Sequence, residues 1–474
     1  MKLTTLIIFS VIALLATSCA TMSSRDAADR AVEEAVETPA TWAINTVENK
    51  DVPTQWLESF NDPILLKLIE EGLANNRDLQ VAAGNMDKAW LLAKQSGSAL
   101  KPTADLSLSG AQSGSADGGA SNSSVAVGLQ VSWEVDVWGR IRAGVRAAEA
   151  SAQAAQADYI FALHSLSANI AKTYFKVIEA KLQADIARKN LEILKKTMRI
   201  TQAKYDNGRA SGQDVALNRA NLAAAQEQLV TIEGSQRDAI RALEVLLGRY
   251  PNATTEIPDE LPDLLPSPPA GIPSEILERR PDIVSAERQI AAAFNATDQA
   301  KAARLPRFSL TSSISGASNS LSDSVSGTSN SLSDILDPAN IAWQLGANLM
   351  APLFDGGKRK IDVEIATIEQ EQAITNYVQT ALVVFSEVES NLDQGLILAE
   401  REKALREARN QSAKAYYIAK LRYKEGESEL LDTLQIHQQA ISAESNLLSI
   451  KRSRLEQRIN LYLSLGGSWL INGE

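Results

Sequence analysis

Residues 125–135 read VAVGLQVSWEV. Val125, Val127, Leu129, Val131, Trp133 and Val135 alternate with Ala126, Gly128, Gln130, Ser132 and Glu134, a period of two that predicts a strand with one apolar and one polar face. A second such stretch sets Ile341, Trp343, Leu345, Ala347, Leu349 and Leu353 against Ala342, Gln344, Gly346, Asn348 and Met350. Weaker alternation precedes each, at Leu106 and Leu108 and at Phe308, Leu310 and Ile314. Four strands are therefore expected, at about 103–112, 124–135, 307–316 and 341–352, joined in pairs by polar loops. A strand of about 11 residues rises roughly 36 Å and, when tilted, covers the apolar band of an outer-membrane barrel. A half-buried strand in a soluble sandwich would alternate identically; strand length and the N-terminal signal described below favour the membrane. Four strands cannot close a barrel, because the smallest need about eight, and an open edge is not tolerated in lipid. Copies of the chain must therefore pool their strands. Trp133 and Trp343 fall at opposite ends of equivalent strands and are expected in opposite interfacial girdles.

After each second strand the period changes to that of a helix. Val145 to Asn207 contains no Gly or Pro, and Leu163, Leu166, Ile170, Tyr174, Ile178, Leu182 and Ile186 recur at spacings of three and four. Another long run, from Glu427 to Leu465, returns in the opposite direction. The chain is internally duplicated: Tyr205, Gly208, Asp214 and Gly248 recur as Tyr423, Gly426, Asp432 and Gly466, each pair offset by 218 residues. A first repeat at 51–248 and a second at 276–467 are expected, separated by a Pro-rich, non-helical linker at 249–275 and followed by a C-terminal tail at 468–474. Gly208 and Gly426 mark the expected helix-turn tips.

Composition narrows the function. A net charge of −11 opposes binding of nucleic acid through charge neutralisation. One cysteine excludes an internal disulfide and a multi-thiolate metal site. His164 and His437 each stand alone in a helical pattern, so neither an enzyme, nor a metal site, nor a cofactor is expected. Lys2 followed by an apolar segment from Leu6 to Leu15 reads as a signal peptide, 1–18. It ends at Ala16-Thr17-Ser18-Cys19, which resembles a bacterial lipobox, although Leu15 stands four residues before the cysteine instead of three. That resemblance implies lipid attachment at Cys19 and, with Ala20 following, sorting to the outer membrane. Residues 19–50 read as the tether.

Several motifs, in this order, carry a wider resemblance: WLESFNDP at 56–63 with NNRDL at 75–79, VDVWGR at 135–140, LERRPDIVSAE from Leu277, FDGGK at 354–358 and YLSLGGSW at 462–469. The chain resembles the TolC-like outer membrane factors, in particular the lipoprotein branch serving resistance-nodulation-division efflux pumps. The resemblance implies an α+β membrane protein, a homotrimer whose 12-stranded β-barrel continues into a long periplasmic α-helical barrel. It implies partners, a periplasmic adaptor protein and an inner-membrane transporter, and a passive role as their exit duct for small molecules. It also implies a periplasmic gate at Leu431 and Asp432, with Gln435 one turn on where some relatives carry a second acid. Tyr205, Asp214 and Tyr423 match positions that tie neighbouring helices in the closed state. The simpler reading of Asp214 and Asp432 is a helix N-terminal acid favoured by the macrodipole. Two other functions compete: the exit duct of a type I protein secretion system, and a structural coiled-coil lipoprotein, which would have no use for the four strands.

Overall fold

The computed structural model describes residues 24–44, 56–113, 122–263, 271–320, 338 and 341–467. Cys19, the signal segment and the tail 468–474 lie outside the described residues. In chain order the elements are α1 (Ser24–Ala35), a 3-10 turn (Trp56–Phe60), α2 (Pro63–Asn75), α3 (Arg77–Ser98), β1 (Thr103–Ser113), β2 (Asn122–Val135), α4 (Arg140–Asp206) and α5 (Gly212–Leu246). There follow α6 (Pro273–Arg279), α7 (Pro281–Ala302), β3 (Arg307–Ser320), β4 (Ile341–Met350), α8 (Lys358–Glu425) and α9 (Leu430–Ser464). Two compact units divide the chain. One comprises Met1–Val36, Met86–Ala155 and Ser285–Val378; the other Glu37–Asn85, Gln156–Val284 and Gln379–Glu474.

The first unit contains an antiparallel sheet of order β1-β2-β3-β4. Its register places the large apolar positions of the alternation on one face: Leu106 opposes Leu129, Leu129 opposes Ile314, and Ile314 opposes Trp343. Ser107, Gly128 and Ser315 share the other face, as do Gln130, Ser313 and Gln344. Among the described residues nothing covers the apolar side, where Leu106 is 76% and Leu345 75% exposed. A water-facing surface of that kind would be costly, since contiguous exposed apolar area marks an interaction surface, here one wide enough for lipid. Among the described residues no helix is long and apolar enough to cross a membrane. β1 and β4 each present an unpaired edge.

The two tryptophans share that face but not the expected separation. Trp133 lies level with Leu310 and Trp343 with Ile314, four residues apart along β3. Four strand residues cover about 13 Å, half of an apolar band of roughly 25 Å, so the pair does not mark two opposite girdles. Alternation reports which face a residue takes and is silent about its height. Trp133 is the one at the sheet's end, where its indole N–H donates to the Leu100 carbonyl at 2.9 Å. Close by, the Trp138 indole donates to the Pro306 carbonyl at 2.7 Å and joins the start of α4 to the start of β3.

In the second unit the helices end alike. At Gly208 and Gly248, and again at Gly426 and Gly466, φ lies between 67° and 83°. Arg209 N donates to Lys204 O and Gly208 N to Tyr205 O, and the same pair of bonds closes the other three ends. This six-to-one and five-to-two pattern is the Schellman motif, which needs a left-handed residue and so favours glycine. Gly248 has a second constraint, because a Cβ there would lie 2.5 Å from the Asn75 carbonyl oxygen. The helices these turns close have matched lengths, 67 and 68 residues for α4 and α8, and 35 each for α5 and α9.

Two segments differ from the sequence reading. The stretch read as a tether contains α1, and Trp42 is buried, with its indole donating to Gly271 O at 3.2 Å and its ring edge-on to Phe385. The linker ends at Ile272, because Pro273 takes the first position of α6, where its missing N–H costs nothing. The linker's start is held by the buried Glu244 carboxylate, which accepts from the backbone N–H groups of Ala253, Thr254 and Thr255. WLESFNDP has a local explanation: Asp62 caps α2 through the N–H groups of Ile64 and Leu65, and its other oxygen accepts from the Tyr174 hydroxyl at 2.7 Å.

Candidate channel gate

Helices α4, α5, α8 and α9 share a small apolar cluster of Leu191, Leu194, Ala225, Tyr423, Leu430 and Leu434. The first turns of α9 divide by face. Leu430, Thr433, Leu434 and His437 are buried, whereas Leu431, Asp432 and Gln435 are exposed. Asp432 has no ion pair among the described residues and stands in the first turn of its helix, where the macrodipole favours a carboxylate.

Tyr423 is the residue that binds the helices together. Thr201 donates its single hydroxyl proton to Thr197 O at 3.0 Å, so the Tyr423 hydroxyl, 3.1 Å away, must donate to Thr201 Oγ1. Asn218 Nδ2 donates to the same oxygen at 3.1 Å, bringing α4, α5 and α8 to one atom. Lys204 adds a second tie, donating to Tyr423 O at 2.7 Å with its ammonium 3.9 Å from the ring centroid. Thr201 and Lys204 carry no signature in sequence, since a helical threonine and lysine are ordinary.

Asp214 and Tyr205 do less within the chain than the resemblance implies. Asp214 completes a capping box: Ser211 N donates to its Oδ2 at 2.9 Å, and Asp214 N donates to Ser211 Oγ at 3.1 Å. Its carboxylate is therefore committed to its own helix. Tyr205 is 47% exposed, and its hydroxyl has no partner among the described residues; the ring lies against Gly212.

His437 is buried, with Nε2 2.8 Å from Asn190 Oδ1 and its ring 4.4 Å from that of Tyr416. Burial lowers its pKa to about 4, with Lys420 adding to the effect, and burial alone lowers that of His164 to about 4. Each histidine is ordinary in the unfolded chain, near 6.5, so between 6.5 and about 4 the unfolded state binds more protons. Stability is full above about 6.5 and falls as the pH drops to about 4, by up to about 1.4 kcal/mol per pH unit for each histidine. His437→Gln should remove about half of this histidine-linked slope in thermal unfolding followed from pH 6.5 to 4. An unchanged slope would show that His437 is not neutral and buried.

An open antiparallel sheet with an exposed apolar face, joined to helices of 67 and 68 residues, defines a membrane channel component built from β-strands and long helices. Comparison with known proteins agrees. The profile of the outer membrane efflux protein family matches residues 68–249 and 272–467, and the chain belongs to that family. The pyoverdine export outer membrane protein OpmQ of Pseudomonas aeruginosa is 27% identical over 470 residues, covering 96% of each chain. The cation efflux system protein CusC of Escherichia coli O6:H1 is 29% identical over 430 residues, 87% of this chain and 88% of that one. Among solved structures, the outer-membrane channel OprN superposes with a TM-score of 0.81 at 27% identity, covering 92% of this chain and 98% of its own. Proteins of this kind are outer membrane transport channels and not enzymes.

Proposed function

We propose that the chain is the exit duct of a tripartite efflux system, passively conducting small molecules delivered by an inner-membrane resistance-nodulation-division transporter through a periplasmic adaptor. The observation that carries this reading is the sheet, apolar on one face, polar on the other and open at both edges. β1 and β4 run antiparallel to each other, so β1 of one copy can pair with β4 of the next without changing the sense of the sheet. Two copies would give eight strands, whose interior side chains just fill the bore. Three give twelve and leave a lumen lined mainly by Ser, Thr, Gly, Asn and Gln, with the charged Asp105, Glu134 and Arg307 on the same face. Lipid on Cys19 would hold each copy to the outer membrane.

At the other functional level, Leu431 and Asp432 form the gate, with Tyr423, Thr201 and Lys204 holding the helices that present them. Three copies of Asp432 around an axis make a ring that prefers cations. In single-channel recordings Asp432→Ala should therefore lose cation preference and change conductance. Unchanged selectivity and conductance would remove the acid ring from the mechanism. The duct itself is tested by deleting the gene: intracellular dye should accumulate, and expression of the chain should reverse this. Loss of a secreted protein with dye retention unchanged would instead favour the type I secretion duct.

A further inference from the structure

A cavity of about 390 Å³ opens between α4, α8 and α9, within the usual size of small-molecule sites, roughly 300–1,000 Å³. All of its lining residues belong to the second compact unit. Leu182 and Ile186 on α4 and Leu447 and Leu448 on α9 give it an apolar wall, in which Ile186 is buried and the three leucines are half-buried. Lys189, Arg406, Arg409 and Lys451 supply cations from all three helices. In a chain of net charge −11 such a local excess does not follow from composition.

Bonds between the helices fix the level of each charge. Arg454 on α9 pairs with Glu402 on α8, and Gln457 donates to the Asn391 carbonyl further back along α8, so these two helices are antiparallel. Lys451, three residues before Arg454, and Arg406, four residues after Glu402, therefore stand at one level, with Arg409 about one turn further along α8. Among the described residues Glu402 is the partner of Arg406, through Nη2 alone, and the Arg406 side chain stays 57% exposed. Arg409 meets the Asn410 side-chain oxygen at 3.3 Å, and Lys451 has neither an ion pair nor a hydrogen bond among the described residues. The acids of the wall do not neutralise this end. Asp185 is engaged by Arg188 at 2.7 Å. α4 also runs antiparallel to α9, since Gln183 meets Ser445 and Asn190 meets His437, so Glu444 lies away from Lys451, towards the end that Lys189 lines.

Cations with spare donors beside an apolar wall suit one kind of ligand. A carboxylate or sulfonate accepts charge-assisted hydrogen bonds from guanidinium and ammonium groups, and an aromatic or alkyl body takes the wall out of water. A small inorganic anion would leave the leucines wet. A neutral apolar molecule would leave the cations without an acceptor.

We propose that this cavity binds an amphipathic organic anion, its acid group held between Arg406, Arg409 and Lys451 and its apolar body laid along the leucine and isoleucine wall. Such an occupant joins α8 to α9 through its acid group and reaches α4 through its body. The site goes beyond the duct reading and stands without it, because its evidence is local to these three helices.

The test is equilibrium dialysis of tritiated naphthalene-2-sulfonate against full-length protein in lipid nanodiscs at low ionic strength, with empty nanodiscs as the blank. The expected result is saturable binding of one ligand per chain. Naphthalene-2-sulfonamide, neutral and of nearly the same shape, should compete poorly, and so should methanesulfonate, which has the acid group without the body. Lys451→Gln and Arg409→Gln should each weaken binding about tenfold, the loss of one charge-assisted contact, while Lys451→Arg retains it. Lys414→Gln, exposed on α8 and outside the cavity, should change nothing. Absence of saturable binding above the blank overturns the proposal. So does competition by the sulfonamide or by methanesulfonate as strong as that of unlabelled naphthalene-2-sulfonate, an unchanged affinity in both Lys451→Gln and Arg409→Gln, or an equal loss in Lys414→Gln. The readout is binding and not export, so its failure leaves the duct reading standing.

Discussion

Leu345→Arg is expected to prevent assembly in the outer membrane, whereas Ser313→Arg, one register step away on the opposite face, should assemble. Leu345 pairs with Ser312 on β3 and is 75% exposed on the apolar side, at a level between Trp133 and Trp343. Ser313 pairs with Gln130 and Gln344 among the polar positions. An arginine facing lipid near the bilayer midplane costs about 2–4 kcal/mol, and the proposed ring of three chains would incur it three times. The same side chain facing a water-filled bore has no such cost and should alter ion selectivity instead. The measurement is the fraction of each variant recovered as protease-protected oligomer in outer membranes. Recovery of Leu345→Arg at the wild-type level would show that this face does not meet lipid.

Arg280→Ala is expected to lower stability by about 1.5–3 kcal/mol, the usual worth of hydrogen bonds to charged groups, since the carboxylates it leaves behind keep contact with water. Arg280 is 3% exposed between α6 and α7. Its guanidinium reaches Asp282 at 2.6 Å, Glu387 at 2.7 Å and the Ser464 carbonyl at 3.2 Å, so one residue joins α7, α8 and the end of α9. Pro281 fixes this arrangement, since the residue before a proline avoids the helical region and Arg280 is extended at φ −81°, ψ 123°. Arg280→Lys should restore only part of the stability, because an ammonium cannot serve the carboxylates as a planar fork does. Arg279→Ala is the control. Its side chain is about one-third exposed and, among the described residues, pairs within α6 with Glu275, so its loss should stay within roughly 0.5 kcal/mol. Equal destabilisation by the two alanine variants in denaturant unfolding would refute the assignment.

The LERRPDIVSAE motif shows where sequence reading stops. Its pattern was visible as a motif, but nothing in it separates Arg279 from Arg280; only the partners 107 and 184 residues away do so. Trp42 is similar, because its acceptor Gly271 lies 229 residues on and leaves no local trace in an Ala- and Glu-rich segment. Local chemistry was easier to read. Alternation at 125–135 carries its own face assignment, and glycine after a long breaker-free run calls for the left-handed cap that Gly208 and Gly426 provide. Height along a strand has no such code, which is why Trp343 stands nearer mid-sheet than its place in the second strand suggested. Asp214 was legible in both senses, as a gate tie by resemblance and as a helix acid by position, and the capping box with Ser211 favours the second.

The two bare edges of the sheet have a genetic consequence. A subunit whose β1 or β4 cannot pair would break the continuity of any closed ring it entered, however sound its neighbours. With three subunits drawn at random from equal amounts of sound and defective chains, only about one assembly in eight would contain none of the defective kind. Edge-strand mutations should therefore behave as dominant poisons of export when co-expressed with the wild type. Mutations that prevent a chain from reaching the membrane at all should be recessive.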